Sequence, residues 1–165
     1  MEEAKKRTKT SEAFFSYVVE KMSWDKQFIS IMRNADTPDA NTEAWKYLIR
    51  WCHSEDDSHI EILTLITASI CRTGLTSDGK SRLGSAINRI DLSSHKDSAK
   101  LKKLLACDNV SEVCKNLRPI LKSVERHNIR LSYITLMDQL LYFNRYPDKQ
   151  KKSWAIDYYR ARFSA

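Results

Sequence analysis

The sequence predicts an all-α fold, a compact bundle of roughly seven to nine helices. Three observations carry that expectation. Apolar residues recur at helical spacing along most of the chain, and no segment alternates with the period of two that a half-buried strand requires. Glycine and proline occur three times each, too few for the turns of a β-sandwich or barrel. Apolar side chains make up 42% of the 165 residues, enough to build a core.

Residues 1–10 mix Lys5, Lys6, Arg7 and Lys9 with Glu2 and Glu3 and are expected as a frayed polar N-terminal arm. Residues 11–165 are expected as a single all-α domain, with the loop over 73–81 as the point where it could divide into two helical lobes. The first helix is predicted over 11–22, with Ser11 as N-cap and Phe14, Tyr17 and Val18 as its apolar face. Ser23 can cap a second helix facing inward through Trp24, Phe28, Ile31 and Met32. A loop follows at Asp36-Thr37-Pro38-Asp39. Thr42 can cap a third helix, in which Trp45, Leu48, Ile49 and Cys52 fall at i, i+3, i+4 and i+7.

Beyond the acidic loop from Ser54 to Ser58, an apolar helix runs to about Arg72; Ile62, Leu63, Leu65, Ile66 and Ile70 cover more than one face and place it at the centre of the bundle. Further helices are predicted over 82–90, 98–107, 110–126, 132–143 and about 148–163. In the helix over 98–107, Leu101, Leu104 and Leu105 point inward and Lys102 and Lys103 outward. In the helix over 110–126, Val113, Leu117, Ile120, Leu121 and Val124 share a face, and Pro119 predicts a kink or break near Lys115. The last helix carries Trp154, Tyr158, Tyr159 and Phe163.

No run of eighteen apolar residues occurs, so no membrane span is expected, and Met1 to Thr10 lack the apolar core of an export signal. Cys52, Cys71, Cys107 and Cys114 form no C-x-x-C pair and read as buried reduced thiols. The cluster Cys52-His53 with His59 lacks a second ligand pair, so no metal site is expected. His53, His59, His95 and His127 are scattered without a nucleophile at family spacing, and Asp56-Asp57 reads as solvated turn residues.

Charge is the feature that points to a partner. The formal net charge is +7; residues 80–130 hold twelve lysines and arginines against five acids, so this stretch carries the whole excess and the other 114 residues sum to zero. A concentrated positive field selects a polyphosphate, because each neutralised phosphate releases condensed counterions. The bland alternative is a solvated basic face kept for solubility. Lys115, Lys122 and Arg126 are spaced by seven and four, which puts them on one helical stripe beside Arg118. Trp51, Tyr142, Tyr146 and Tyr158 are candidates for stacking on bases, although the spacing of Trp45, Trp154 and Tyr158 favours the core.

Gly74-Leu75-Thr76-Ser77-Asp78-Gly79-Lys80-Ser81 matches the phosphate-loop pattern G-x-x-x-x-G-K-[ST]. That pattern carries chemistry when a parallel-sheet strand precedes it and a helix follows, and no set of strands is predicted. The segment reads better as a glycine-containing loop that displays Lys80 and Arg82.

Five segments in order resemble the CasB family, the small subunit of the type I-E CRISPR surveillance complex, Cascade. They are Ile31-Met32-Arg33 followed by Asp36-Thr37-Pro38; Leu83-Gly84-Ser85-Ala86-Ile87; the basic helix from Lys100 to Leu105; Leu117-Arg118 with Leu131-Ser132-Tyr133; and Lys152 to Tyr159. The resemblance spans roughly residues 14–160. Where relatives often carry two arginines after leucine, this chain has Arg118-Pro119. The resemblance implies an all-α, non-catalytic, cytoplasmic prokaryotic protein without cofactor. Its implied partners are the backbone and large Cascade subunits, a second copy of itself, guide RNA and target DNA, on which it stabilises the R-loop. DNA strand exchange with an RNA–DNA hybrid is nearly balanced in energy, so contacts to backbone phosphates can tip it without reading bases. The expected nucleic-acid-binding residues are Arg33, Lys100 and Arg118, from the matched segments, and Lys80, Arg82, Lys103, Lys122, Arg126 and Arg145, from charge clustering. Two rivals stay open: a small nucleotide-binding protein using Gly74 to Ser81, and a purely structural scaffold subunit.

Overall fold

The computed structural model describes residues 2–37, 42–52, 57–94 and 98–164. Among them are nine α-helices: α1 (Glu2–Trp24), α2 (Lys26–Met32), α3 (Trp45–Leu48), α4 (Ser58–Thr73), α5 (Leu83–Ser94), α6 (Ala99–Leu105), α7 (Val110–Arg126), α8 (Tyr133–Tyr142) and α9 (Pro147–Ser164). No strand occurs among the described residues; an isolated parallel bridge joins Ser81 and Leu131. The all-α expectation holds. The expected loop at Pro38 and Asp39, the acidic loop from Ser54 to Asp56, His53 and His95 lie outside the described residues, as do the side chains of Lys6 and Arg7.

The chain divides into two compact units, residues 1–78 with 133–138, and residues 79–132 with 139–165. In the first unit, every residue from Ile62 to Cys71 of α4 is buried, as a helix apolar on several faces demands. Helices α1 and α2 pack on α4. Phe14 meets Trp51 edge-on with centroids 5.3 Å apart, and the Tyr17 hydroxyl donates to the Tyr47 carbonyl at 2.9 Å. Asp78 holds the start of α8, accepting from the Tyr133 N–H at 2.8 Å and the Ile134 N–H at 3.3 Å, two of the donors a helix start leaves unpaired.

Several local expectations fail here. Helix α1 begins at Glu2, so the expected N-terminal arm is its first turns. Ser11 is therefore not a cap; it is fully buried in mid-helix and donates to the Asp138 carboxylate. Ser23 also lies inside α1, and Asp25 caps α2 by accepting from the Phe28 N–H at 3.0 Å. Trp24 thus ends α1 and is 62% exposed, while Phe28 and Met32 are buried as expected. The third helix breaks into 3-10 turns at Thr42–Ala44 and Ile49–Trp51 around α3. The change of pitch loses the i, i+3, i+4 phase. Leu48 stays buried, whereas Trp45 and Ile49, expected inward, are exposed.

The second unit is built on the packing of α5 against α9. A Cβ at Gly84 would lie 2.2 Å from the Trp154 carbonyl oxygen, so the absence of a side chain is what lets the two helices meet. Trp154 stacks on Phe143 with centroids 5.8 Å apart and donates its indole N–H to Gln139 at 2.8 Å. Helix α7 turns Val113, Leu117, Ile120, Leu121 and Val124 inward. It is continuous through Pro119, and the break expected near Lys115 does not occur. Pro119 is on the exposed side of the helix, where water can satisfy the carbonyl that proline leaves unpaired.

Candidate nucleic-acid interface

The division into units sorts the charge. The second unit holds eighteen lysines and arginines against seven acids, a formal +11; the first holds ten against fourteen, a formal −4. Of the nine expected site residues, Arg33 lies in the first unit and the other eight lie in the second.

Helix α7 presents a basic stripe. Its start is secured twice: Asn109 accepts from the Glu112 N–H at 3.0 Å, and the Glu112 carboxylate accepts from the Asp108 N–H at 2.8 Å. With Val113, Leu117 and Val124 buried, Lys115, Lys122 and Arg126 are all exposed on the opposite side. Arg126 donates to the Ser123 hydroxyl at 2.9 Å. Arg118 flanks this stripe half-buried, with Nε out of solvent and without a hydrogen-bond partner.

Lys80 is displayed by the bridge that follows α4. Gly74 ends that helix in the left-handed region at φ 68°. The Gly79 and Ser81 N–H groups then donate to the carbonyls of Leu131 and Arg130 at 3.2 and 3.0 Å. Between them Lys80 is exposed, and so is Arg130 on the partner segment, a cation the sequence reading did not single out. The pairing joins residues 50 positions apart, so no local signal announces it. It also decides the phosphate-loop reading: the segment before Gly74 is helical, and the two N–H groups flanking Lys80 already have carbonyl partners.

The remaining candidates are held differently. Lys103 is exposed on α6. Lys100 is drawn inward, its ammonium 3.5 Å from the Asp91 carboxylate. Arg82 is tied to Asp157 at 2.7 Å and donates to the Ser153 hydroxyl at 2.9 Å. The Arg145 guanidinium sits 5.4 Å from the Tyr146 ring centroid. Arg33 is exposed at the end of α2, and its carbonyl accepts from Arg72 at 2.8 Å. Of the aromatic candidates, Tyr158 is fully buried, Trp51 and Tyr142 are half-buried, and Tyr146 is 44% exposed. Burial pushes the Cys71 thiol up to about 12, which keeps it protonated and unreactive at neutral pH. Among the described residues, no three of His, Cys, Asp or Glu are grouped to hold a metal, and no helix is long and apolar enough to cross a membrane.

The profile of the family described as CRISPR-associated protein Cse2 matches residues 30–159. No curated protein sequence matches the chain. Two solved structures share its fold. A chain described as belonging to a CRISPR RNA-guided surveillance complex is 14% identical with a TM-score of 0.72, covering 94% of each chain. CasB from M. ruber is 19% identical with a TM-score of 0.74, covering 94% of this chain and 95% of that one.

Proposed function

Since the chain belongs to the CRISPR-associated Cse2 family, we propose that it is a non-catalytic subunit of a type I-E Cascade complex that stabilises the R-loop by gripping nucleic-acid backbone. The observation that carries this reading is the segregation of charge: a unit of formal +11 with three cations aligned and exposed on one face of α7. Such a surface attracts phosphates of any sequence, a contact that needs charge and no reading of base edges. Lys80, Lys103, Lys122 and Arg126 are the residues whose exposure suits the role best, with Lys115 and Arg130 beside them. Arg33 and Arg145 are exposed and stay in the proposal. Lys100 is committed to the Asp91 carboxylate, which leaves it less charge to offer a strand; Arg82 is anchored by Asp157, and Arg118 stands half-buried at the edge of the α7 stripe.

The partners this reading implies are the other Cascade subunits, a second copy of the chain, guide RNA and target DNA, in the prokaryotic cytoplasm. The test is target-DNA capture by the reconstituted complex across a salt series, with the subunit present, omitted, or carrying Lys122→Ala and Arg126→Ala. Omission should destabilise the R-loop. The double variant should weaken capture equally for all target sequences and flatten the slope of log K against log salt by about 1.8, the share of two duplex phosphates. Equal affinity and equal slope, with normal assembly, would assign the basic surface to scaffolding.

A further inference from the structure

A second basic surface lies on α9, outside the α7 stripe, and shares only Arg82 with the candidates above. A groove of about 450 Å³ is lined by Arg82, Lys149, Lys152, Ser153, Asp157 and Arg160, with Ile156 between them. Four cations face one carboxylate, and that carboxylate is already matched to Arg82 at 2.7 Å. The groove therefore keeps a formal excess of three positive charges.

Arg82 is held from beneath by a chain of hydrogen bonds that starts in the core. The Trp154 indole donates to Gln139 at 2.8 Å, the Gln139 amide donates to the Ser153 hydroxyl at 3.3 Å, and that hydroxyl accepts from Arg82 at 2.9 Å. Trp154 is fully buried and Gln139 is 8% exposed, so the chain is anchored in rigid structure. Nε and one terminal nitrogen of Arg82 are used in this way, and the other terminal nitrogen remains to donate to an anion. A guanidinium oriented in advance loses less entropy on gripping an anion.

The spacing along α9 extends the surface. Lys149, Lys152, Ile156 and Arg160 stand at i, i+3, i+7 and i+11, a single helical face on the order of 16 Å long. Tyr159 adjoins that face and is 41% exposed, and its ring is held edge-on against buried Tyr158 with centroids 5.1 Å apart. A row of cations beside a supported aromatic ring suits unpaired bases on a charged backbone.

We propose that the outer face of α9, together with Arg82, is a second nucleic-acid site, one that takes a single-stranded phosphodiester backbone and stacks a base on Tyr159. The proposal rests on the nucleic-acid reading of this chain but concerns residues outside the α7 stripe. The choice of a nucleic acid over an acidic protein segment follows from the charge of the whole second unit and from the exposed aromatic ring.

The test compares Lys149→Ala/Lys152→Ala with Lys122→Ala/Arg126→Ala. A first-unit control, Lys26→Ala/Lys46→Ala, removes the same charge elsewhere. Binding of a fluorescent oligothymidylate to the purified full-length chain, and target capture by the assembled complex, are read across a salt series; circular dichroism verifies folding. The α9 variant should bind the single strand about tenfold more weakly and flatten the salt slope by about 1.4, with the first-unit control unchanged. Tyr159→Ala should weaken binding severalfold with the slope intact, because stacking releases no counterions. Loss in the α7 variant with none in the α9 variant would overturn this site and leave the proposed function standing. Loss in neither would overturn both. Normal DNA binding with failed assembly of the α9 variant would assign the groove to an acidic protein partner and also overturn the proposal.

Discussion

Lys100 places its ammonium 3.5 Å from one carboxylate oxygen of Asp91, while the other oxygen accepts the Tyr158 hydroxyl at 2.8 Å. The Asp91 side chain is 3% exposed and that of Lys100 is 27% exposed, so the acid is buried and its counterion reaches it from the surface. A buried carboxylate stripped of its cation costs more than the pair contributes.

Lys100→Ala should therefore lower the stability of the chain by about 1–3 kcal/mol. Lys103→Ala, three residues on and exposed, should stay within about 0.5 kcal/mol of the parent. Urea denaturation of both variants checks this. Equal stability would show that the Lys100 ammonium is not committed to Asp91 and return it to the nucleic-acid surface.

The two glycines Gly74 and Gly84 should respond differently to alanine. At Gly84 the added carbon would stand 2.2 Å from the Trp154 carbonyl oxygen and 2.7 Å from the Tyr158 nitrogen, both backbone atoms. Parting α5 from α9 should cost about 3 kcal/mol or more and reduce soluble yield. At Gly74 nothing lies within 4 Å, and the cost is that of a left-handed residue with a side chain, about 1 kcal/mol. Thermal melts of both variants decide the ranking; similar losses would mean the α5–α9 approach is looser than it looks.

Tyr158 makes stability sensitive to alkali. Burial first, then its hydrogen bond to Asp91 and that group's charge, push its hydroxyl up from 10.0 to about 12. The folded state prefers the neutral phenol, so this contribution is complete below pH 10 and is lost as the pH rises toward 12. The melting temperature of the parent should fall more steeply over that interval than that of Tyr158→Phe. Parallel curves would disconnect the Tyr158 hydroxyl from the alkaline transition.

The helices that were legible in the sequence are those whose signals are local. Helix α7 has the expected bounds, Val110 to Arg126, because its apolar spacing runs the whole length and its cap, Asn109, immediately precedes it. Helix α4 was legible because ten successive positions tolerate burial. What was hidden is nonlocal. Asp78 caps a helix 55 residues away, and Ser11 abandons a cap position for an acid 127 residues away. For Trp45 and Ile49 the residue pattern was right, but the backbone changed pitch.

The same holds for the candidate site. The basic stretch from 80 to 130 is visible as composition, and the stripe of Lys115, Lys122 and Arg126 is visible as spacing. Which cations are already spoken for is not, because Asp91 and Asp157 reach Lys100 and Arg82 through the fold. The α9 row was present as a period of helical turns from Lys149 to Arg160, but the aromatic residues beside it drew the reading toward the core.

Residues 133–138 belong with the first 78, while everything between them forms most of the other unit. A growing chain can thus bury α4 fully only after Tyr133 has emerged to meet Ser69, with the hydroxyls 2.8 Å apart. Until then the ribosome holds an open first unit and a largely synthesised second one. An early stop codon after residue 78 would leave Ser69, Asp78 and Ser11 without the partners that close them. The segment made first therefore stays open while residues 79–132 are synthesised and closes when 133–138 emerge, which gives quality control a long window in which to inspect it.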